Sequence, residues 1–218
     1  SSYADQLHPN AKSCQDCHMP VGKTDRFALL KQGGLLRDPQ TIHVHKNSGS
    51  RDAKFMREAV QMDVQLHRSD EVIKIDVTIR NIGAGHHLPT GSPLRHIILK
   101  LEALDKDGNV LPQISGPHLP GWTGEYSGKP GLAYAKVLEE FWTGVSPTIG
   151  YWNQTRLVSD NRIPANSSDQ QGFGFNFQQE FATIDVELIY VRALPQIRNW
   201  KGWPEEKIIL AKQELIIE

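Results

Sequence analysis

The chain has 218 residues, enough for one large domain or two small ones with a buried core. Its formal net charge of -1 and hydrophobic content of 39% are typical of an ordinary soluble globular protein, and no basic stripe favours nucleic acid as a partner. No apolar run approaches the roughly 18 residues of a membrane span, so no transmembrane segment is expected. The first residues, Ser1-Ser2-Tyr3-Ala4, lack the charged and apolar regions of a signal peptide.

Residues 1–58 show little alternation and contain polar and Gly-rich breaks, so we expect a loop-rich, partly helical segment with a helix near residues 51–57. Near its start stands Cys14-Gln15-Asp16-Cys17-His18, the attachment signature of a c-type haem. The thiols of Cys14 and Cys17 are spaced to reach the two vinyl groups of one porphyrin edge, and His18 would bind the iron on the proximal side. The motif predicts one covalently bound haem c.

Two other chemistries use a pair of cysteines at this spacing. A zinc site needs further Cys or His ligands at short spacing, and a thioredoxin-like redox pair lies between a strand and a helix. Cys14 and Cys17 are the only cysteines, so no second pair can complete a zinc ribbon. A simple Cys14 to Cys17 disulfide would leave the adjacent His18 unexplained.

From Ala59 the sequence alternates with the period of a β-strand. Two such stretches, residues 60–66 and 73–79, flank a turn and predict an antiparallel hairpin with one buried face. A third strand is predicted from His96 to Leu104, ahead of the turn 105–109. Later strands are predicted at 154–158, 172–177, 184–191 and 208–217. The pattern predicts a mainly β fold, an immunoglobulin-like antiparallel β-sandwich over residues 59–218.

Residues 112–150 are rich in Gly, Pro and aromatic residues. A loop of this length is often functional or packs as a lid, and the alternative is an elaborated crossover between two sheets. The acidic turn around Asp105 and Asp107 could bind calcium, although two acids in a hairpin turn usually form only the turn.

The string Asn81-Ile82-Gly83-Ala84-Gly85-His86-His87-Leu88-Pro89-Thr90-Gly91 follows the second predicted strand. It resembles the N-x-G-A-G-H-x-L-P-T-G segment in the C-terminal β-sandwich region of exported multihaem c-type cytochromes. Looser similarities to the same family lie at residues 2–4, 14–20, 43–45, 105–108 and 160–164. The resemblance spans most of the chain and implies a haem segment followed by a β-sandwich.

Members of that family carry several C-x-x-C-H motifs, whereas this chain has one. We therefore expect a monohaem relative, a processed fragment, or a subunit that brings its haem beside those of its neighbours. Covalent haem attachment normally follows export, so the sequence is expected to be a mature form or a piece of a longer exported protein.

The ligand opposite His18 decides whether the iron carries electrons or reacts with a small molecule. We predict a second histidine, and His86 is the first candidate because nearby Gly and Pro residues stiffen its loop. His45 and His43 are the next candidates. If they are not ligands, His86 is expected to be a loop histidine bonded to the backbone, and the other two histidines are expected to face the solvent. Each could also bind the haem of a neighbouring chain.

The remaining histidines are weaker candidates. His67 lies on the polar face of its strand and His96 begins another strand, so both are predicted at the surface, while His87 should point away from its neighbour. Met56 and Met62 are predicted to lie in the core. Two further histidines are His8 and His118.

These features favour an electron-transfer cytochrome with a bis-histidine haem iron over an enzyme, since no acid-base or nucleophile constellation is evident. Its expected partners are other c-type cytochromes or redox proteins, in the periplasm or at the cell surface. One alternative is a haem enzyme or gas sensor with an open distal site that acts on peroxide or a nitrogen oxide. Another is a structural subunit of an extracellular filament or homo-oligomer.

Overall fold

The structure is a computed structural model that describes residues 12–69, 71–150, 152–177 and 181–217. It divides into two compact units, the first ending at Phe55 and the second beginning at Met56. The assignment of residues 1–58 to haem binding and of 59–218 to a separate domain stays a prediction. His8 and the tripeptide 2–4 lie outside the described residues. No helix within the described ranges is long and apolar enough to cross a membrane.

The first unit is loop-rich and partly helical, as predicted. Its described part contains a five-residue helix at Cys14–His18, short 3-10 turns at Leu30–Gln32 and Pro39–Thr41, and an isolated antiparallel bridge between Val21 and His43. A helix at Ala53–Arg57 includes the boundary residue Phe55 and confirms the helix expected there.

The second unit is built from antiparallel strands. They are β1 (Val60–Arg68), β2 (Val72–Asn81), β3 (His96–Asp105), β4 (Gln113–Ser115), β5 (Gly131–Tyr134), β6 (Lys136–Glu140), β7 (Thr155–Asp160), β8 (Ser168–Asn176), β9 (Ala182–Val191) and β10 (Lys207–Ile217). One sheet has the order β1-β2-β8-β4 and a second has the order β10-β9-β3-β5, while β6 and β7 form a separate ribbon. The predicted mainly β, antiparallel fold is confirmed.

The two four-stranded sheets share one hydrophobic core. Alternate residues of β2, such as Ile73 and Ile75, are fully buried, as are Leu99 and Leu101 of β3. Phe173, Phe175 and Phe177 are also buried, as their spacing predicted, and Met56 and Met62 pack against this core. The period-2 alternation therefore identified the inward face of these strands correctly.

The second sheet is also covered on its other face, which the sequence did not indicate. Ile98 and Ile189 point away from the shared core and pack with Leu119 and Tyr126 from the segment that carries a 3-10 turn at Gly121–Tyr126. His96 lies on β3 with Trp122 edge-on at 5.3 Å between ring centroids. The prediction that His96 is a surface residue is wrong, because this covering segment leaves it 1% exposed.

The segment 112–150 contains more regular structure than its composition suggested. It forms β4, β5 and β6 in addition to the 3-10 turn. β4 extends the first sheet by pairing with β8, and β5 extends the second by pairing with β3. Two short parts of the predicted loop are therefore edge strands, and a third belongs to the ribbon of β6 and β7. A seven-residue helix at Pro195–Lys201 precedes β10.

Candidate haem-attachment site

The two cysteines of the predicted haem motif lie in one short helix. Ser13 caps the helix, since its hydroxyl accepts a hydrogen bond from the backbone N–H of Asp16, and the Asp16 carboxylate accepts the Ser13 N–H at 2.7 Å. This capping box lets a helix of only five residues form. Backbone and side-chain hydrogen bonds from Ser13 lower the pKa of Asp16. Cys14 is exposed and Cys17 half-buried, and neither is in a disulfide.

His18 ends this helix with its ring orientation fixed by a backbone carbonyl. The Nδ1 atom of His18 lies 2.6 Å from the carbonyl oxygen of Ser48, and the Ser48 N–H donates in return to the carbonyl of His18. The ring also contacts Phe55 at 5.1 Å between centroids. With Nδ1 donating to a carbonyl, Nε2 is the atom suited to bind a metal.

The strand-like segment around His43 lies beside the end of the haem motif. The N–H of Gly22 donates to the carbonyl of Ile42, and the N–H of Val44 donates to the carbonyl of Pro20. The Nδ1 atom of His43 lies 2.6 Å from the carbonyl oxygen of Met19, the residue directly after His18. His43 is half-buried in this position, whereas His45, two residues on, is exposed.

The apolar side chains of the first unit fit a large apolar prosthetic group. Among residues 12–55, Ile42 is the only buried hydrophobic residue. Five large apolar side chains of the loop between residues 27 and 36 are more than half exposed: Phe27, Leu29, Leu30, Leu35 and Leu36. A porphyrin supplies apolar surface of the kind that such side chains cover, and two thiols followed by an oriented imidazole are the donors of a c-type haem. The residues present fit haem c.

His86 lies in the second unit, on a loop that is held by one buried side chain. The Nδ2 atom of Asn81 donates to the carbonyls of His86, Ile163 and Pro164, at 2.8, 3.2 and 3.1 Å. The Oδ1 atom of Asn81 accepts the N–H of Ala84 at 3.1 Å. These bonds stiffen the loop that the resemblance singled out.

The loop presents its two histidines at the surface. His86 and His87 are both exposed, and Nδ1 of His86 lies 3.1 Å from the carbonyl oxygen of His87. Gly83 is required by a close backbone approach, since a Cβ there would lie 2.5 Å from the carbonyl oxygen of Glu58. The order His86, His45, His43 for the distal ligand stays a prediction.

Two contributors to these sites escaped the sequence reasoning. The Ser48 carbonyl that orients His18 is a backbone group, so no residue type signals it. Asn81 is the first residue of the string that carries the family resemblance, and this position is the sequence signal for its role, whereas the burial of its amide is seen only in the structure. Within the described ranges, no three His, Cys, Asp or Glu side chains are grouped to hold a metal ion.

Comparison with known proteins gives likenesses to solved structures. No protein-family description and no curated protein matches the chain. Two solved structures, the structural-genomics target SoR45 and the ApaA protein from Bordetella pertussis, share 12% and 11% identity over 72% of this chain. The alignments cover 85% and 89% of those two chains. Their TM-scores of 0.30 and 0.29 are too low to support an argument about the fold.

The likeness that shows the fold is to a penta-heme cytochrome c552 from Thermochromatium tepidum. It superposes with a TM-score of 0.68 and 22% identity over 96% of this chain. The alignment covers 48% of that cytochrome, so the present chain spans about half its length. The chain therefore has the fold of about half of that cytochrome.

Proposed function

We propose that the chain is an electron-transfer c-type cytochrome that holds one haem c. Cys14 and Cys17 form the thioethers and His18 is the proximal iron ligand. One observation carries the proposal: the imidazole that follows the two unpaired thiols has its Nδ1 bound to the Ser48 carbonyl. The fold of a penta-heme cytochrome adds support.

When bound, the haem supplies a one-electron carrier. The protein's part is to fix its ligand. The Ser48 carbonyl accepts a hydrogen bond from Nδ1–H, so His18 keeps the tautomer in which Nε2 carries the free electron pair. The same hydrogen bond raises the basicity of Nε2 and so strengthens it as a ligand for iron. The ring of Phe55 restricts rotation of the imidazole.

We infer that His43 is not the sixth ligand of this haem. Its ring is bonded to the carbonyl of Met19, which directly follows the proximal ligand His18. An imidazole held there would lie on the His18 side of a haem attached at Cys14 and Cys17, so it is not suited to bind the opposite side of the same iron. His43 is instead suited to bind the iron of a second haem, carried by a neighbouring chain or another part of a longer protein. His86 and then His45 remain the candidates for the distal position.

The wider setting is proposed on the same grounds. The protein is exported to the periplasm or cell surface, exchanges electrons with other c-type cytochromes or redox proteins, and can join a homo-oligomer or filament. Residues 1–58 form the haem segment, and residues 59–218 form an immunoglobulin-like β-sandwich that offers docking surface.

Optical and electron paramagnetic resonance spectra of the purified protein test the proposal, with and without carbon monoxide. A low-spin spectrum indifferent to carbon monoxide is expected. A high-spin iron that binds carbon monoxide would instead favour the enzyme or gas-sensor alternative. Absence of covalent haem in the exported protein would refute the assignment and favour a redox pair of thiols.

Single alanine variants of the histidines test the ligand assignment. His86→Ala or His45→Ala should convert the iron to high spin, while His43→Ala and the exposed control His118→Ala should leave the isolated chain low-spin. Conversion by His43→Ala alone would contradict the inference about the proximal side. The readout is the spin state, so it separates the ligand assignment from the presence of haem.

A further inference from the structure

The ribbon β6-β7 ends in an aromatic tip, which we define as residues 141–155. No Asp, Glu, Lys, Arg or His occurs among these fifteen residues, although 22% of the whole chain is charged. The large apolar side chains described there are mostly exposed: Phe141 by 53%, Trp142 by 78%, Val145 by 51% and Trp152 by 70%. Tryptophan is usually largely buried, so two highly exposed tryptophans on one uncharged loop need an explanation.

The aromatic tip is held in place rather than loosely attached. The N–H of Phe141 donates to the carbonyl of Gln154 at 2.9 Å, which closes the base of the loop. The Glu140 carboxylate, at the last position of β6, accepts hydrogen bonds from the side chains of Thr143 and Asn153. The rings of Phe141 and Trp142 pack edge-to-face, with 5.3 Å between their centroids.

Charge returns directly beside the aromatic tip, where Glu139 and Glu140 end β6 and Arg156 lies near the start of β7. Arg156 bridges Glu139 across the two strands, and at the other end of the ribbon Arg162 bridges Asp160. The ribbon therefore has an uncharged aromatic tip that is bordered by charged residues. This distribution matches the boundary of a bilayer, where tryptophan is enriched at the headgroup level and charged groups stay in water.

The size of the aromatic tip argues against a stable protein partner. Its four exposed side chains offer roughly 500 Å², taking ~150–250 Å² for each fully buried aromatic residue. A standard protein interface buries about 800 Å² on each partner and carries polar and charged groups at its rim. An uncharged loop with an exposed aromatic surface of this size is suited to shallow insertion into lipid.

We propose that the aromatic tip binds the protein to a lipid surface by inserting Trp142 and Trp152, with Phe141, at the headgroup boundary. The recognised chemistry is the apolar boundary layer itself, so zwitterionic lipid suffices. Binding is insensitive to salt, because no charged group of the aromatic tip takes part. This role is separate from the carriage of electrons and holds for the chain with or without its haem.

The experiment is co-sedimentation of the exported full-length chain with phosphatidylcholine vesicles, at low and high salt, with bound protein measured on gels. The double variant Trp142→Ser/Trp152→Ser should bind at least about a hundredfold more weakly, since burial of each ring is worth about tenfold or more. The matched control is Trp200→Ser, because Trp200 is 73% exposed but lies outside the aromatic tip. It should bind like the unmodified chain.

Three outcomes would overturn the proposal. The first is no binding to phosphatidylcholine, including the case in which the protein binds a polysaccharide or self-associates through the same tryptophans. The second is binding that needs anionic lipid and disappears at high salt. The third is an equal loss in the Trp200→Ser control. Circular dichroism and the thermal midpoint of each variant exclude unfolding as the cause, since the replaced rings are at the surface.

Discussion

Acidification should destabilise the second unit through His96. Burial is the main cause that lowers the pKa of this imidazole from 6.5 to about 4; the hydrogen bond at Leu94 opposes this shift, and the positive charge of Arg198 contributes to it. In the unfolded chain the imidazole takes up its proton near pH 6.5, whereas in the folded chain it does so only near pH 4. The unfolded state binds more protons between these values, so the free energy of unfolding falls as the pH falls from 6.5 to 4.

The expected loss is large. Each pKa unit corresponds to about 1.36 kcal/mol, so the interval between 6.5 and about 4 corresponds to about 3 kcal/mol. A domain of this kind is stable by roughly 5–15 kcal/mol, so the change is a sizeable share of the total. Urea denaturation followed by far-ultraviolet circular dichroism, at several pH values between about 7 and 4.5, measures it.

The variant His96→Phe isolates the contribution of the imidazole. Phenylalanine keeps an aromatic ring beside Trp122 but has no proton to bind, so the loss of stability between about pH 7 and about pH 4.5 should shrink by about 2–3 kcal/mol. The exposed control His118→Gln should retain the full pH dependence. If His96→Phe loses as much stability on acidification as the unmodified chain, His96 is not the group responsible and the reasoning fails.

Other residues allow further tests. Asn81→Ala should lower the free energy of unfolding by about 2–3 kcal/mol in urea denaturation, because its buried amide serves three carbonyls and one N–H; a loss below 0.5 kcal/mol would contradict this. Tyr134→Phe should cost only about 1 kcal/mol, since Asp169 keeps a bond from Gln171. A Cys14→Ala/Cys17→Ala variant should be cleaved by trypsin within residues 12–55 while the β-rich unit resists, and equal resistance of both units would refute a haem-dependent first unit.

The alternation of apolar and polar residues was sufficient to predict a strand wherever one face of the strand is buried and the other is exposed to solvent. The hairpin of β1 and β2 is such a case: its two strands are antiparallel, as the alternation predicted, and the structure pairs Val60 with Asn81 and Arg68 with Ile73. The rule failed for β3, which is buried on both faces near its start. Single-face alternation cannot show that a distant segment, here residues 119–126, covers the second face. The error on His96 has this cause.

The short edge strands β4 and β5 were not predicted, for a different reason. β4 and β5 have three and four residues, too few to show a period, and both lie among Gly and Pro residues that are typical of loops. Their structure comes from pairing with β8 and β3, which are distant in sequence. Tertiary pairing, rather than local preference, made them strands.

The candidate site also combines groups that are close together in the sequence with groups that are distant from them. The cysteines and His18 are readable from the sequence because the porphyrin dictates their spacing, and Ser13 and Asp16 cap their helix within the same few residues. The Ser48 carbonyl lies thirty residues away and has no side-chain signature, yet it selects which nitrogen of His18 is basic. The Met19 carbonyl fixes His43 in the same way. Two backbone oxygens therefore fix the orientation of these two imidazoles, and only the fold reveals them.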